Sequence, residues 1–194
     1  MVRQFFANFT WLDLCSAVIV VRGCWIGFQK GFLIEVFKLI GLIAAVFVGF
    51  HFYIPFGDFL NDVLRVPKPV AHIFSYGLLI GVTVGLFQIM RGGLIVLLRD
   101  QDQEEAAWQR LVGLIFGLCR GVIFSSLVIV GCLVSGQSVL TRTVRHSFSA
   151  PALAPVSPAI YSGIFRAAVR PIFSNETENT RISTLVSMNQ RVYE

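Results

Sequence analysis

Residues 110–134 read RLVGLIFGLCRGVIFSSLVIVGCLV, with Gly113, Gly117 and Gly121 at every fourth position. A period of four lines up one face of an α-helix, and bare glycine lets a second backbone approach that face. Outward from this stretch, Gly23–Gly27–Gly31 and Gly77–Gly81–Gly85 repeat the ladder inside, or at the mouth of, two other long apolar runs. Three such ladders among 17 glycines in 194 residues call for a physical cause. In lipid, burying Leu against Leu gains little over burying it in acyl chains, so close backbone approach drives helix association. The chain reads as an all-α membrane protein, a bundle of four transmembrane helices packed along glycine ladders.

Composition points the same way. Soluble domains carry about 25% charged residues, whereas this chain has 14%, with 55% hydrophobic residues and a mean hydropathy of +0.73. Such a surface needs lipid as its solvent. The net charge of +5 is scattered singly at the ends of apolar runs, which suits snorkelling anchors rather than a nucleic-acid footprint. Cys15, Cys24, Cys119 and Cys132 lie inside apolar runs with no metal-binding spacing, as packing thiols do. No small-residue cleavage site follows Arg3, so the first span is expected to stay in the protein.

Four spans of about the length that crosses a hydrocarbon core can be drawn, over residues 11–28, 33–53, 70–98 and 111–134. The first contains Asp13 and Arg22 and could begin as early as Phe5. Trp11, Trp25 and Trp108 fall where interfacial aromatic belts belong. Gln29, Lys30 and Gly31 leave almost no loop, so spans one and two are expected to form a tight antiparallel hairpin. Between Pro55 and Pro69, Phe56, Phe59, Leu60, Val63 and Leu64 mark an amphipathic helix expected in the interface plane. Asp100, Asp102, Glu104 and Glu105 give an acidic, solvated link between spans three and four. Residues 136–158 read as a Pro-containing linker, 159–173 as a basic amphipathic surface helix, and 174–194 as a disordered tail.

An ionisable group at membrane depth costs about 2.5–3.5 kcal/mol and invites a functional reading. Asp13, Arg22, Glu35, Lys38 and Arg120 are such groups, with Lys30 at the interface and Arg120 the deepest. One reading lets Arg22, Lys38 and Arg91 snorkel while Glu35 pairs with Lys38. The other turns Arg120, flanked by Gly117 and Gly121, into the bundle to meet Glu35 or Asp13. His51, His72 and His146 lack ligand spacing, and no nucleophile elbow, phosphate loop or paired-carboxylate motif is present. No catalytic residue, metal or cofactor is expected. Charge gives a near tie in orientation by the positive-inside rule.

Two segments together resemble the colicin V production proteins of bacterial inner membranes. Trp11-Leu12-Asp13, then Gly23, Gly27-Phe28, Lys30-Gly31-Phe32 and Glu35, resemble that family's opening. Arg110, Gly113, Gly117 and Arg120-Gly121 resemble its last span. The likeness covers about residues 10–135, with a looser echo in Ser147, Pro151 and Pro155. Gln109 departs from the family, which commonly has an acid before the first Arg of the second motif. The resemblance implies a multi-pass inner-membrane protein needed for colicin V production or export, with a role in envelope homeostasis and no enzymatic activity. Some similar cores carry a periplasmic C-terminal protease domain, for which the residues after Ser135 are too few. That comparison places the termini outside. The bilayer is one expected partner, and a homo-oligomer or another membrane protein is the other. The rival reading is a small channel or transporter subunit whose polar path is lined by Asp13, Arg22, Glu35 and Arg120.

Overall fold

A computed structural model of the chain describes residues 10–30, 32–98, 107–171 and 177–190. Gly31, Arg3, Arg99 and the acidic run from Asp100 to Glu105 lie outside the described residues. The described residues are helical almost throughout, with no strand among them. Four helices are long: α1 (Trp11–Lys30), α2 (Phe32–Leu64), α3 (Lys68–Leu98) and α4 (Ala107–Val134). Shorter ones follow: α5 (Ser138–His146), α6 (Ala150–Leu153), α7 (Val156–Ile164), which runs on as a π-helical turn over Phe165–Val169, and α8 (Arg181–Gln190).

Each long helix turns a large apolar face outward. On α1 that face is Trp11, Leu14, Val18, Val21, Trp25 and Phe28, all exposed, at steps of three and four. On α3 it includes Val70, Phe74, Leu78, Val82, Leu86 and Ile89. Stripes of this size cannot face water, and they are what a helix offers to lipid. Among the described residues five stretches could cross a membrane by length and composition, the fifth being Ala150–Val169.

Helix α4 is the hub and touches all three other long helices. Its seam with α1 is antiparallel and nearly free of side chains. A Cβ on Gly27 would sit 2.2 Å from the Gly113 carbonyl oxygen, and one on Gly117 would sit 2.3 Å from that of Gly23. One on Gly121 would lie 2.9 Å from the Val20 Cα. Only glycine fits there. On the other flank α2 and α3 run antiparallel, with knobs from α3 seated on glycines of α2. Phe87 fills the space over Gly41, Ile80 that over Gly49, and His72 that over Gly57.

Several expectations are corrected. The tight hairpin of spans one and two does not form, because α1 leans on α4 and makes little contact with α2. Glycine faces on both α1 and α4 allow a closer fit than a short connection alone selects. The ladder Gly77–Gly81–Gly85 packs against nothing, since a Cβ on each would meet no atom within 4 Å. The in-plane helix expected after Pro55 is instead the last part of α2, which is 33 residues long in all and continues through Pro55 to Leu64. Asp58 on that extension lies 3.2 Å from His72 Nε2 of α3, which keeps the two helices together past the break expected at the proline.

The stretch read as a Pro-rich linker holds α5, α6 and the start of α7. Pro151 and Pro158 fall in the first turns of α6 and α7, where the missing N–H costs no helical bond. The apolar stripe read as membrane-facing is partly turned onto protein: Tyr161 and Phe165 are buried, and Tyr161 lies against Phe47 and Phe50 of α2. The tail read as disordered contains α8, whose Ile182 and Val186 are buried one turn apart.

These C-terminal pieces form a collar at one level of the bundle. Ser157 donates its N–H to Ser126 Oγ of α4 at 2.9 Å, and the two hydroxyls lie 2.7 Å apart. Asn179 donates to the Phe50 carbonyl at 2.8 Å through its side chain and to the Tyr161 hydroxyl through its N–H. Phe50 packs beside Tyr76, whose hydroxyl donates to the Leu127 carbonyl at 3.0 Å. The collar therefore meets the bundle at the level of Ser126 and Leu127, toward the C-terminal end of α4.

Candidate functional site

The choice of α4 over α2 as the neighbour of α1 has a direct consequence. A gap opens between α1 and the α2–α3 pair, with α4 as its floor. The resulting half-enclosed cavity has a volume of about 570 Å³. Ile19, Ile26, Leu42, Val84, Phe87 and Phe124 make its apolar lining, and Arg22, Lys38, Arg91 and Arg120 bring one cation from each of the four long helices.

Glu35 sits fully buried at this point of the bundle. Arg120 Nη1 of α4 lies 2.8 Å from Glu35 Oε2, a close ion pair. Lys38, one turn along α2, donates from Nζ to Glu35 Oε1. One carboxylate thus serves two cations from two helices. Arg22 and Arg91 line the same space, and the Nε of Arg91 is buried without an acceptor among the described residues. The cavity keeps a surplus of positive charge. In a medium of low dielectric such a surplus interacts strongly with any anion that enters.

A second polar centre lies at the opposite end of α1. Asp13 Oδ1 accepts from the Ser147 hydroxyl at 2.6 Å, the Ser149 hydroxyl at 2.6 Å and the Ser149 N–H at 2.8 Å. Its Oδ2 accepts from the Thr10 N–H and hydroxyl, each at 2.8 Å, and from the Phe148 N–H at 3.3 Å. One carboxylate caps its own helix and clasps the start of the collar. Asp13→Ala strands these donors in a buried place, which costs about 3 kcal/mol. Limited proteolysis of purified protein is expected to cut residues 147–190 readily in that variant and slowly in wild type. Equal protection in both would refute the clasp.

The charged residues singled out in the sequence therefore fall into two groups. Glu35, Arg120 and Arg22 come together with Lys38 and Arg91. Asp13 does not join them, because the α1–α4 register sets it opposite the last turns of α4. Lys30 closes α1. Gly23, Gly27, Gly113, Gly117 and Gly121 line the seam. Sequence reasoning missed Gly41, Gly49 and Gly57, whose spacing of eight, with Ala45 between, was a readable signal. It also missed Ser147 and Ser149 as partners of Asp13, for which no local signal exists. Among the described residues no group of three or more His, Cys, Asp and Glu side chains could hold a metal ion.

Long helices with apolar outer faces, a glycine seam and charges gathered inside define a multi-pass helical membrane protein. The profile of the family described as "Colicin V production protein" matches residues 12–158, which reach from the Asp13 clasp through the seam to the collar. The chain belongs to the colicin V production protein family. That family is not a known enzyme family. No curated protein and no solved structure matches the chain significantly.

Proposed function

We propose that the protein is a non-enzymatic factor of the bacterial inner membrane that supports colicin V production or export and envelope homeostasis. The family match over residues 12–158 carries this reading. The bundle spans the bilayer four times, with the collar held on one side. Support comes from Ser147 and Ser149 before the fifth apolar stretch and Asn179 after it, which bond to the same end of the bundle. The termini lie in the periplasm. Arg22, Lys38, Arg91 and Arg120 cluster in the half of the bundle nearer the α1–α2 and α3–α4 connections, which favours that half as cytoplasmic.

In this reading the bundle is a scaffold. The open Gly77–Gly81–Gly85 face leaves room for a second copy or a partner helix. The rival, a channel subunit, draws on the charged cavity. Against it, the bundle beyond the cavity is filled by Val46, Phe50, Ile123, Leu127 and Val130, all buried. The test is complementation: in a producer strain lacking the gene, the wild-type chain restores colicin V release, measured as the zone of growth inhibition around colonies. Unchanged release without the gene refutes the proposal. Anion flux through liposomes holding the purified chain would establish the rival instead.

A further inference from the structure

We propose that the cavity between α1 and the α2–α3 pair is a binding site for a phosphate oxyanion, gripped by Arg22, Arg91 and Arg120. The site goes beyond the production role and does not depend on it.

Charge gives the first argument. Four cations line the space or its floor and, among the described residues, a single carboxylate, Glu35, answers them. Glu35 is engaged by Lys38 and Arg120, so Arg22 and Arg91 face the cavity without an anionic partner among the described residues. Unbalanced charge at membrane depth is unfavourable, and a bound anion removes the imbalance.

Donor geometry gives the second. The Arg91 Nε is buried and has no hydrogen-bond partner among the described residues, although buried donors are nearly always satisfied. A guanidinium presents a rigid fork of N–H groups that matches a tetrahedral oxyanion, and three guanidinium groups from α1, α3 and α4 converge here. Gln88, one turn from Arg91, adds a neutral side-chain amide to the lining.

Shape gives the third. At about 570 Å³ the cavity is within the range of small-ligand sites and larger than a lone phosphate needs. Ile19, Ile26, Val84, Phe87 and Phe124 continue the lining as an apolar wall. Charged head and apolar wall together match a phospholipid whose phosphate enters between the helices. A free phosphate shares the head-group chemistry, and the experiment separates the two sources.

The full chain, purified in an uncharged maltoside detergent, is melted while the fluorescence of Trp11, Trp25 and Trp108 is followed. Phosphatidylglycerol, a diacylglycerol that lacks the phosphate, and inorganic phosphate are titrated separately at constant ionic strength. A saturable rise in Tm with phosphatidylglycerol, absent with diacylglycerol, is expected. The midpoint of that rise moves at least about tenfold in Arg22→Gln/Arg91→Gln and stays put in Arg142→Gln, a change on the exposed face of α5. A saturable rise with inorganic phosphate alone, lost in the double variant, assigns the site to a soluble phosphate. Should the double variant fail to fold, Arg91→Lys keeps the charge and removes the fork, and its midpoint is expected to weaken at least about threefold. Neither phosphate source raising Tm, or a rise that the cavity variants leave unchanged, overturns the proposal.

Discussion

Gly117→Val costs the protein its fold, whereas Gly81→Val leaves it intact. Both glycines stand in the middle of a ladder with the same spacing, so the sequence alone gives them equal weight. Their surroundings differ. A Cβ on Gly117 would press to 2.3 Å on the Gly23 carbonyl oxygen and 3.1 Å on the Gly27 Cα, whereas one on Gly81 would meet nothing within 4 Å. Overpacking ordinarily costs about 1–3 kcal/mol when neighbouring side chains can yield. Here both neighbours are backbone, so α1 must move bodily from α4 and the cost is about 3 kcal/mol or more. Folded yield after detergent extraction, read by size-exclusion chromatography, is expected to collapse for Gly117→Val and to match wild type for Gly81→Val. A normal yield for Gly117→Val would mean that the seam is not as close as described.

Loss of the Glu35 charge has a comparable effect for a different reason. Glu35→Gln leaves Arg120 and Lys38 without their common counter-charge in a site where Glu35 itself is fully buried. Breaking one side of a buried ion pair costs about 3–5 kcal/mol, mostly as the penalty of the charge left behind. The decisive comparison is Glu35→Gln/Arg120→Gln. That double variant returns the cavity to the net charge of the wild type, so most of the lost folded protein is expected to reappear. A single variant as abundant as wild type would show that water or lipid headgroups already neutralise Arg120. A double variant worse than the single one would show that Arg120 has another, stronger partner.

The sequence made some of this legible and hid the rest for definite physical reasons. Apolar runs and the glycine period of α1 and α4 report on single helices, and they are readable because periodicity is local. Which faces meet is not local. The short Gln29-Lys30-Gly31 link made α1 and α2 the natural neighbours, yet Gly23 and Gly27 find a closer fit on Gly113 and Gly117. Gly77–Gly81–Gly85 carries the same signal and is left open, so the signal marks a helix able to pack closely and not one that does. Pro55, Pro151 and Pro158 misled in one direction, because a proline rule applies to helix interiors and two of these open helices.

The polar centres divide in the same way. Glu35 and Arg120 were identifiable as charges at membrane depth with two readings open, but the pairing of Arg120 with Glu35 and not Asp13 depends on which end of each helix shares a level. Asp13 was legible as an odd acid near the start of a span. Its partners Ser147 and Ser149, more than 130 residues away, were not. The surplus charge of the cavity needed the fold, since Arg22 and Arg91 acquire meaning only beside Arg120.

Pairing of α1 with α4 in antiparallel register underlies the seam, the cavity and the clasp alike. Disulfide formation in native membranes tests it most directly, in a chain whose four natural cysteines are replaced by alanine. Ser16 and Ser125 are buried on this seam, with the Ser125 hydroxyl 3.4 Å from the Ser16 carbonyl oxygen. Ser16→Cys/Ser125→Cys is expected to crosslink within one chain under mild oxidation, and Ser125→Cys/Gly81→Cys is not. A Ser16–Ser125 pair that stays reduced, beside a Ser125–Gly81 pair that closes, would contradict the arrangement on which this account of the protein rests.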